Sequence, residues 1–253
     1  MMDATHPTDC ASCPIRDIAL CAKCDDGELA KIARIKSTRR FEAGQTIAAQ
    51  GEGIPLVSSI VDGVAAVSRT LEDGRTQLAG LLFAKDMVGA PGEGQAAYDI
   101  VAKTPVTLCC FERHAFEAHV EEMPHLASRL AELALDERDA ARAYLFLLGR
   151  KTAREKIASF LLFLIERQRQ MAGSEAPGII RLPVSRDEIG SLLGLALETV
   201  SRHLNGLGRD GILQILDHRR LRILDRAALE RSSGDAPAPM TPRELQVIPR
   251  KSA

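Results

Sequence analysis

The chain has 253 residues, enough for two domains that each bury a core, and its 45% hydrophobic and 26% charged residues are the mix of a globular protein. No run of about eighteen apolar residues offers a bilayer span, and the first twenty residues carry cysteines and charges where an export signal has its apolar core, so a cytoplasmic protein is expected. The net charge of −1 hides an asymmetry: residues 1–149 hold 15 Lys+Arg against 22 Asp+Glu and residues 150–230 hold 14 against 10, so a polyanion is expected to meet the second half.

The chain opens on Cys10-x2-Cys13-x7-Cys21-x2-Cys24, and its other two cysteines are adjacent at Cys109 and Cys110. In a reducing compartment such crowding reads as metal or redox chemistry and not as disulfide stapling. Thiolates are soft ligands that select iron–sulfur clusters, zinc or copper(I). Two C-x2-C pairs also have the ligand number of a structural zinc site, and although the seven-residue spacer is short for a zinc ribbon, spacing alone leaves the choice open.

From about Phe41 to Phe111 short strands are predicted, punctuated by Gly44, Gly51, Gly53, Gly63, Gly74, Gly80 and Gly89. Asp62-Gly63 and Asp73-Gly74 are dipeptides that close hairpins. Regularly spaced short strands predict a compact antiparallel barrel or roll. Cys109 and Cys110 end this run, and neighbouring strand residues point to opposite faces, so one of the two can meet the leader.

After Pro124 the period becomes helical. Leu126, Leu130, Leu133, Glu137, Ala140, Tyr144 and Leu147 recur at 4-3-4-3-4-3 spacing, a narrow stripe about six turns long. That is the pattern of a seam between two copies of the helix, preferred here over a helix lying on its own barrel, and it predicts a homodimer. Glu137 interrupts the stripe with a charge that two copies would set against each other. Gly149 marks an expected hinge. A second amphipathic helix follows with Ile157, Phe160, Leu161, Leu164 and Ile165 at core spacing, then a loop over 173–178. From Arg231 onward Ser, Gly, Pro and Ala dominate and predict a disordered tail.

The segment from Leu182 to Ile223 carries the sharpest local signal. Ser185 and Glu188 have capping-box spacing, which starts a helix near Arg186 that runs to Leu193. Gly194 supplies a turn, and a second helix begins near Ala196. In it Val200, Leu204 and Leu207 face inward while Glu198, Ser201 and Arg202 face outward, as in a helix-turn-helix. Residues 211–224 then read as a hairpin whose basic turn brings Arg219 and Arg220 to phosphates. Arg donating to guanine, Glu accepting from cytosine and Ser or Thr serving either are the chemistry of major-groove reading, so double-stranded DNA is the expected partner.

The stretch VSRDEIGSLLGLALETVSRHLNGLGRDGIL, and within it Glu198-Thr199-Val200-Ser201-Arg202, resembles the helix-turn-helix of the Crp–Fnr superfamily and the E-x-x-S-R element of its oxygen-responsive branch. The resemblance covers residues 10–230 and implies an α+β chain. Its parts are a cysteine-rich cluster-binding leader (1–29), a cyclic-nucleotide-binding-like β-roll sensor domain (30–123), a long dimerisation helix (124–149) and a winged helix-turn-helix (150–230), followed by the tail (231–253). It implies that Glu198, Ser201 and Arg202, with Thr199, read half-sites like TTGAT arranged as a palindrome. Leu197 stands where the cyclic-AMP-receptor branch has Arg, which favours that site type. It implies a 4Fe-4S cluster held by Cys10, Cys13 and Cys21, the last through the Leu20-Cys21 pair, and by Cys109 when Phe111 and Phe116 are aligned with the family; Cys24 and Cys110 are the alternates.

Ala141 stands where the best-known member has a seam aspartate. Gly92-Glu93-Gly94-Gln95-Ala96-Ala97-Tyr98 resembles the family's phosphate-binding stretch but lacks its Arg, so no cyclic nucleotide is expected. The function implied is an oxygen-sensing regulator of anaerobic and microaerobic metabolism genes that loses DNA affinity when oxygen destroys its cluster. It would activate through RNA polymerase, with the Glu72-Asp73-Gly74 turn a candidate contact. With no catalytic dyad and no nucleotide-binding Gly-rich loop, an enzyme is not expected. The alternatives are a regulator of the same superfamily answering nitric oxide or another redox signal, and a zinc-stabilised DNA-binding protein.

Overall fold

The computed structural model describes residues 10–172 and 178–235. In chain order the elements are α1 (Asp26–Ile35), β1 (Lys36–Phe41), β2 (Thr46–Ala48), β3 (Leu56–Asp62), β4 (Ala65–Thr70), β5 (Thr76–Leu82), β6 (Met87–Val88), β7 (Asp99–Ala102) and β8 (Val106–Glu112). They continue with α2 (Arg113–Glu122), α3 (Pro124–Arg150), α4 (Ala153–Ala172), β9 (Ile179–Arg181), α5 (Arg186–Leu193), α6 (Leu197–Arg209), β10 (Leu213–Ile215), β11 (Arg220–Ile223) and α7 (Arg226–Ser232). By packing, one unit comprises the chain up to Phe146 together with Pro183–Ala196, and a second comprises Leu147–Leu182 together with Leu197 onward. No helix among the described residues is long and apolar enough to cross a membrane.

In the first unit two antiparallel sheets, ordered β1-β8-β3-β6 and β2-β7-β4-β5, form the roll. Asp73-Gly74 closes the β4–β5 hairpin as expected, but Asp62-Gly63 closes none, because β3 and β4 belong to different sheets and the pair turns the chain from one sheet to the other. Only glycine fits that turn: Gly63 has φ +93°, and a Cβ there would lie 2.1 Å from the Pro105 carbonyl oxygen. Between the sheets pack Ile60, Ala65, Val88, Ile100, Ala102, Val106, Leu108 and Cys110. On the other face of the first sheet Leu20, Cys24, Ile32, Val57, Phe111, Phe116, Met123 and Leu126 form a second core under the helices. Alternation along β8 therefore sends Leu108 and Cys110 into the roll and Cys109 to the outer side, beneath the leader.

Helix α1 is an addition to the expected plan, since the leader expected to end at residue 29 already turns helical at Asp26. Its start is a capping box: the Glu28 amide donates to Asp25 and the Asp25 amide to Glu28. Asp25-x-x-Glu28 had that spacing in the sequence.

The long helix corrects the predicted seam. Leu126 is 0% exposed within its own unit, and Leu130 and Leu133 pack against the same core, so the first half of the stripe lies on its own roll. Tyr144 also faces its own unit: its hydroxyl donates to the Leu192 carbonyl, and burial pushes the phenol up to about 12. From Ala134 to Ala143 every residue is exposed, Glu137, Ala140 and Ala141 included. The uncovered small and apolar positions Ala134, Ala141 and Leu145, the last 68% exposed, share a face about a quarter turn from the predicted stripe. The helix also runs through Gly149 to Arg150, so the break falls at Lys151-Thr152.

The second unit buries Ile157, Phe160, Leu161, Leu164 and Ile165 of α4 against α6 and α7, with a three-stranded sheet ordered β10-β11-β9 at its side. Helix α7 extends through Ser232, past the expected end of this domain at residue 230. The remainder of the expected tail, from 236, and the expected loop over 173–177 lie outside the described residues.

Candidate thiol pocket and nucleic-acid interface

The leader is wound from tight turns: Cys10–Ser12 form one 3-10 turn, and Arg16, Ala19 and Cys24 amides bond back to Cys13, Ile15 and Cys21 carbonyls at 3.0, 2.8 and 3.0 Å. Arg16 holds the turns together by donating to the carbonyls of Cys21 and Cys24 at 2.5 and 3.0 Å. Arg129 of α3 grips the leader from outside, donating to the carbonyls of Ile18 at 2.8 Å and Ala19 at 3.3 Å while bonding Glu132 at 3.1 Å. Lys23 of the leader pairs with that same Glu132. Ile15, Ala19 and Leu20 are buried, so an apolar underside seats these turns on the sheet.

Cys10, Cys13 and Cys21 of the leader and Cys109 of β8 line one cavity. Its remaining wall is mostly apolar, including Ile15, Leu20, Ile32, Val61 and Phe111, with Lys36, Thr38 and Ser59 as its polar members. Cys24 and Cys110, the two alternates, are turned away. Cys24 packs in the core under the helices, where burial and then the Glu28 carboxylate push its thiol up to about 12. Cys110 is inside the roll, its thiol raised by burial and hydrogen-bonded by Ser58. Burial also raises Cys21, and it pushes Cys109 up to about 12 against the pull of the Lys36 ammonium.

The sulfurs are not drawn tight. Among the described residues the only three ligand atoms gathered within 4.8 Å of one another belong to Asp25, Glu28 and His125, and no three cysteines meet that spacing. A single zinc ion with Zn–S bonds of about 2.3 Å holds its thiolates roughly 3.8 Å apart. The space that the centre of a water molecule can occupy there is about 30 Å³, room for one water.

Helix α5 has the predicted capping box, with Ser185 and Glu188 exchanging bonds of 3.2 and 2.7 Å, and Gly194 ends it in the left-handed region at φ +63°. The turn also depends on a glycine that sequence reading passed over: a Cβ on Gly190 would lie 2.5 Å from the Leu195 carbonyl oxygen. On α6, Val200, Leu204 and Leu207 are buried, Glu198 and Arg202 exposed, and Thr199 and Ser201 half-buried. Among the described residues Glu198 and Arg202 form no ion pair with each other; Arg202 reaches Thr199 Oγ1 at 3.5 Å. Both charged heads remain available to a ligand.

The wing is the β10–β11 hairpin, with Gln214 opposite Arg222 and Ile215 opposite Leu221. In its turn Asp217 accepts from the Arg219 amide at 2.8 Å and from Arg220 Nε at 2.6 Å, and these two bonds hold its carboxyl below the usual range. Arg220 is thus partly neutralised, whereas among the described residues the Arg219 side chain has only a 3.5 Å bond to the Leu182 carbonyl. Exposed Arg222 and Arg181, missed in the sequence, add to the basic surface: Arg222 shares the strand face of Arg220, and Arg181 stands opposite Arg220 on β9. The period-two spacing of Arg220 and Arg222 was the available signal.

Two family models match the chain: a cyclic nucleotide-binding domain over residues 38–122 and a Crp-like helix-turn-helix domain over residues 155–232. The chain is 45% identical over 228 residues to the transcriptional activator protein FnrL of Cereibacter sphaeroides, covering 89% of this chain and 92% of that protein. It is 35% identical over 221 residues to the nitrogen fixation regulation protein FixK of Bradyrhizobium diazoefficiens, covering 87% and 92%. Among solved structures, FixK2 from Bradyrhizobium japonicum superposes with a TM-score of 0.72 at 28% identity, over 80% of this chain and 99% of that one.

Proposed function

The chain belongs to the Crp–Fnr family of DNA-binding transcription regulators, and on that premise we propose that it is a cytoplasmic, oxygen-responsive regulator. In this reading it carries a 4Fe-4S cluster on Cys10, Cys13, Cys21 and Cys109 and binds TTGAT-type palindromes as a homodimer. One observation carries it: those four thiols, three from the leader and one from the roll, line a single cavity while Cys24 and Cys110 are turned away. Four cysteine sulfurs are the donor set of such a cluster.

When bound, the cluster supplies a redox centre that oxygen destroys. The residues around it do the rest. Lys36 beside Cys109 favours the thiolate form that a metal needs, and the apolar wall keeps water from the sulfurs. Arg129 ties the leader carbonyls to α3, so a displacement of the leader is felt by the helix that carries the exposed Ala134, Ala141 and Leu145 face, the proposed dimer face. A dimer presents two α6 helices to the two half-sites of a palindrome. There Arg202 donates to a guanine, Glu198 accepts from a cytosine amino group, and Ser201 and Thr199 complete the reading. Arg219 and the other wing arginines meet phosphates.

No cyclic nucleotide takes part. Beyond the missing Arg, the Glu93 carboxylate accepts from its own turn at Ala90, 3.1 Å, and the Gly92 amide is given to Glu117 at 2.9 Å. The relative FnrL is named as a transcriptional activator, and activation through RNA polymerase of genes for life at low oxygen follows from the same reading. The test is iron and sulfide analysis of anaerobically purified cysteine variants. Cys10→Ala, Cys13→Ala, Cys21→Ala and Cys109→Ala are expected to lose the metal that Cys24→Ala and Cys110→Ala keep. Retention by Cys109→Ala together with loss in Cys110→Ala would overturn the ligand assignment.

A further inference from the structure

Ser59 is 1% exposed, yet its hydroxyl has no hydrogen-bond partner among the described residues. Buried hydroxyls are almost always bonded, so an orphan in a well-packed sheet calls for a cause. Its position supplies one, because Ser59 lines the thiol cavity. Strand register sets it directly opposite Cys109 across β3 and β8, and sets Thr38 opposite Cys109 on the other side across β1 and β8. Directly opposed residues share a sheet face with Cβ atoms about 5 Å apart, so two hydroxyl side chains flank the Cys109 sulfur on the side facing the leader. The next residue makes the contrast plain. Ser58 is opposite Cys110 and hydrogen-bonds that thiol. Of two serine–cysteine pairs one rung apart, the pair inside the roll is satisfied and the pair facing the cavity is not.

We propose that Ser59 is a positioning residue for the bound cluster: its hydroxyl donates to a sulfur of the cluster or of its Cys109 ligand and thereby sets how readily oxygen attacks. This rests on the cluster reading above. A weakly basic thiol in the unloaded pocket leaves the donor idle, whereas a metal-bound sulfur carries negative charge and accepts. A hydrogen bond to such a sulfur stabilises the added electron and raises the reduction potential, so removing it makes oxidation easier.

The test compares wild type, Ser59→Ala and Ser59→Thr, each loaded anaerobically with iron and sulfide. The readouts are metal content, the reduction midpoint by visible spectroelectrochemistry, the rate of bleaching in air, and the melting temperature of the metal-free protein. The expected result is full loading of all three. Ser59→Ala should show a lower midpoint and bleach about fivefold faster, the factor of one typical hydrogen bond; Ser59→Thr, which keeps the hydroxyl, should stay near wild type. Metal-free Ser59→Ala should melt higher, because a buried unpaired group has gone. Loaded wild type and Ser59→Ala with the same midpoint and bleaching rate would overturn the role of Ser59 and leave the cluster standing. Wild type that takes up no iron and sulfide would overturn both.

Discussion

Arg219 and Arg220 are adjacent in the wing turn but differ in what holds them, and that difference orders their expected effects. Arg220 is bound to Asp217 at 2.6 Å, so part of its charge is already spent, while Arg219 is held only at 3.5 Å. Arg219→Ala should weaken binding uniformly across DNA sequences and reduce the salt slope by about 1, more than Arg220→Ala does, as read by anisotropy titrations at several salt concentrations. Arg202→Ala behaves differently: it should cost about 1–3 kcal/mol and relax preference at one base position, measurable with a set of single-base operator variants. Glu198 and Arg202 were legible because a four-residue spacing, set against a buried Val200-Leu204-Leu207 face, tells which side of a helix is free. Ser59 was not, since a lone serine in an apolar strand means nothing until register places it opposite Cys109.

Elements show where periodicity stops being informative. A 4-3 stripe says that Leu126, Leu130 and Leu133 share a face, but not what covers that face, and here the cover is the chain's own core of Phe116 and Met123. The uncovered side carries Leu145, where Leu145→Glu should shift the loaded protein from dimer to monomer in sedimentation with its fold intact; Leu126→Glu should instead unfold it. Helix α5 gives a pH expectation. Glu188 is partly buried, which pushes its carboxyl up, but the Lys103 ion pair at 2.6 Å and the Ser185 amide outweigh that and hold it below its ordinary value. A carboxyl lowered by folding contributes stability above its unfolded pKa of about 4.3, and that stability is lost as pH falls through the lower folded value. Glu188→Gln should therefore flatten the acid limb of the melting-temperature profile. The capping spacing of α5 was readable in the sequence, and Asp25 and Glu28 carry the same spacing ahead of α1.

For the whole molecule, the acidic first half and basic second half foretold which part meets DNA, and the chain's order of strands, long helix and helix-turn-helix was legible from period changes alone. Bringing Cys109 from 88 residues beyond Cys21 to the same cavity was not legible that way, because it depends on a sheet face that only the pairing of β1, β8 and β3 defines. At this scale the proposal is that metal held by the leader and the roll controls how two copies sit on DNA. The most direct test is an anaerobic titration of the purified protein against a duplex bearing a TTGAT palindrome, followed by admission of air, with visible absorbance and anisotropy recorded together. The predicted result is a brown protein with about four irons per chain that binds as a dimer under nitrogen and loses colour and DNA affinity in step in air. A colourless, metal-free or zinc-loaded protein that binds the duplex equally well under nitrogen and in air would contradict it.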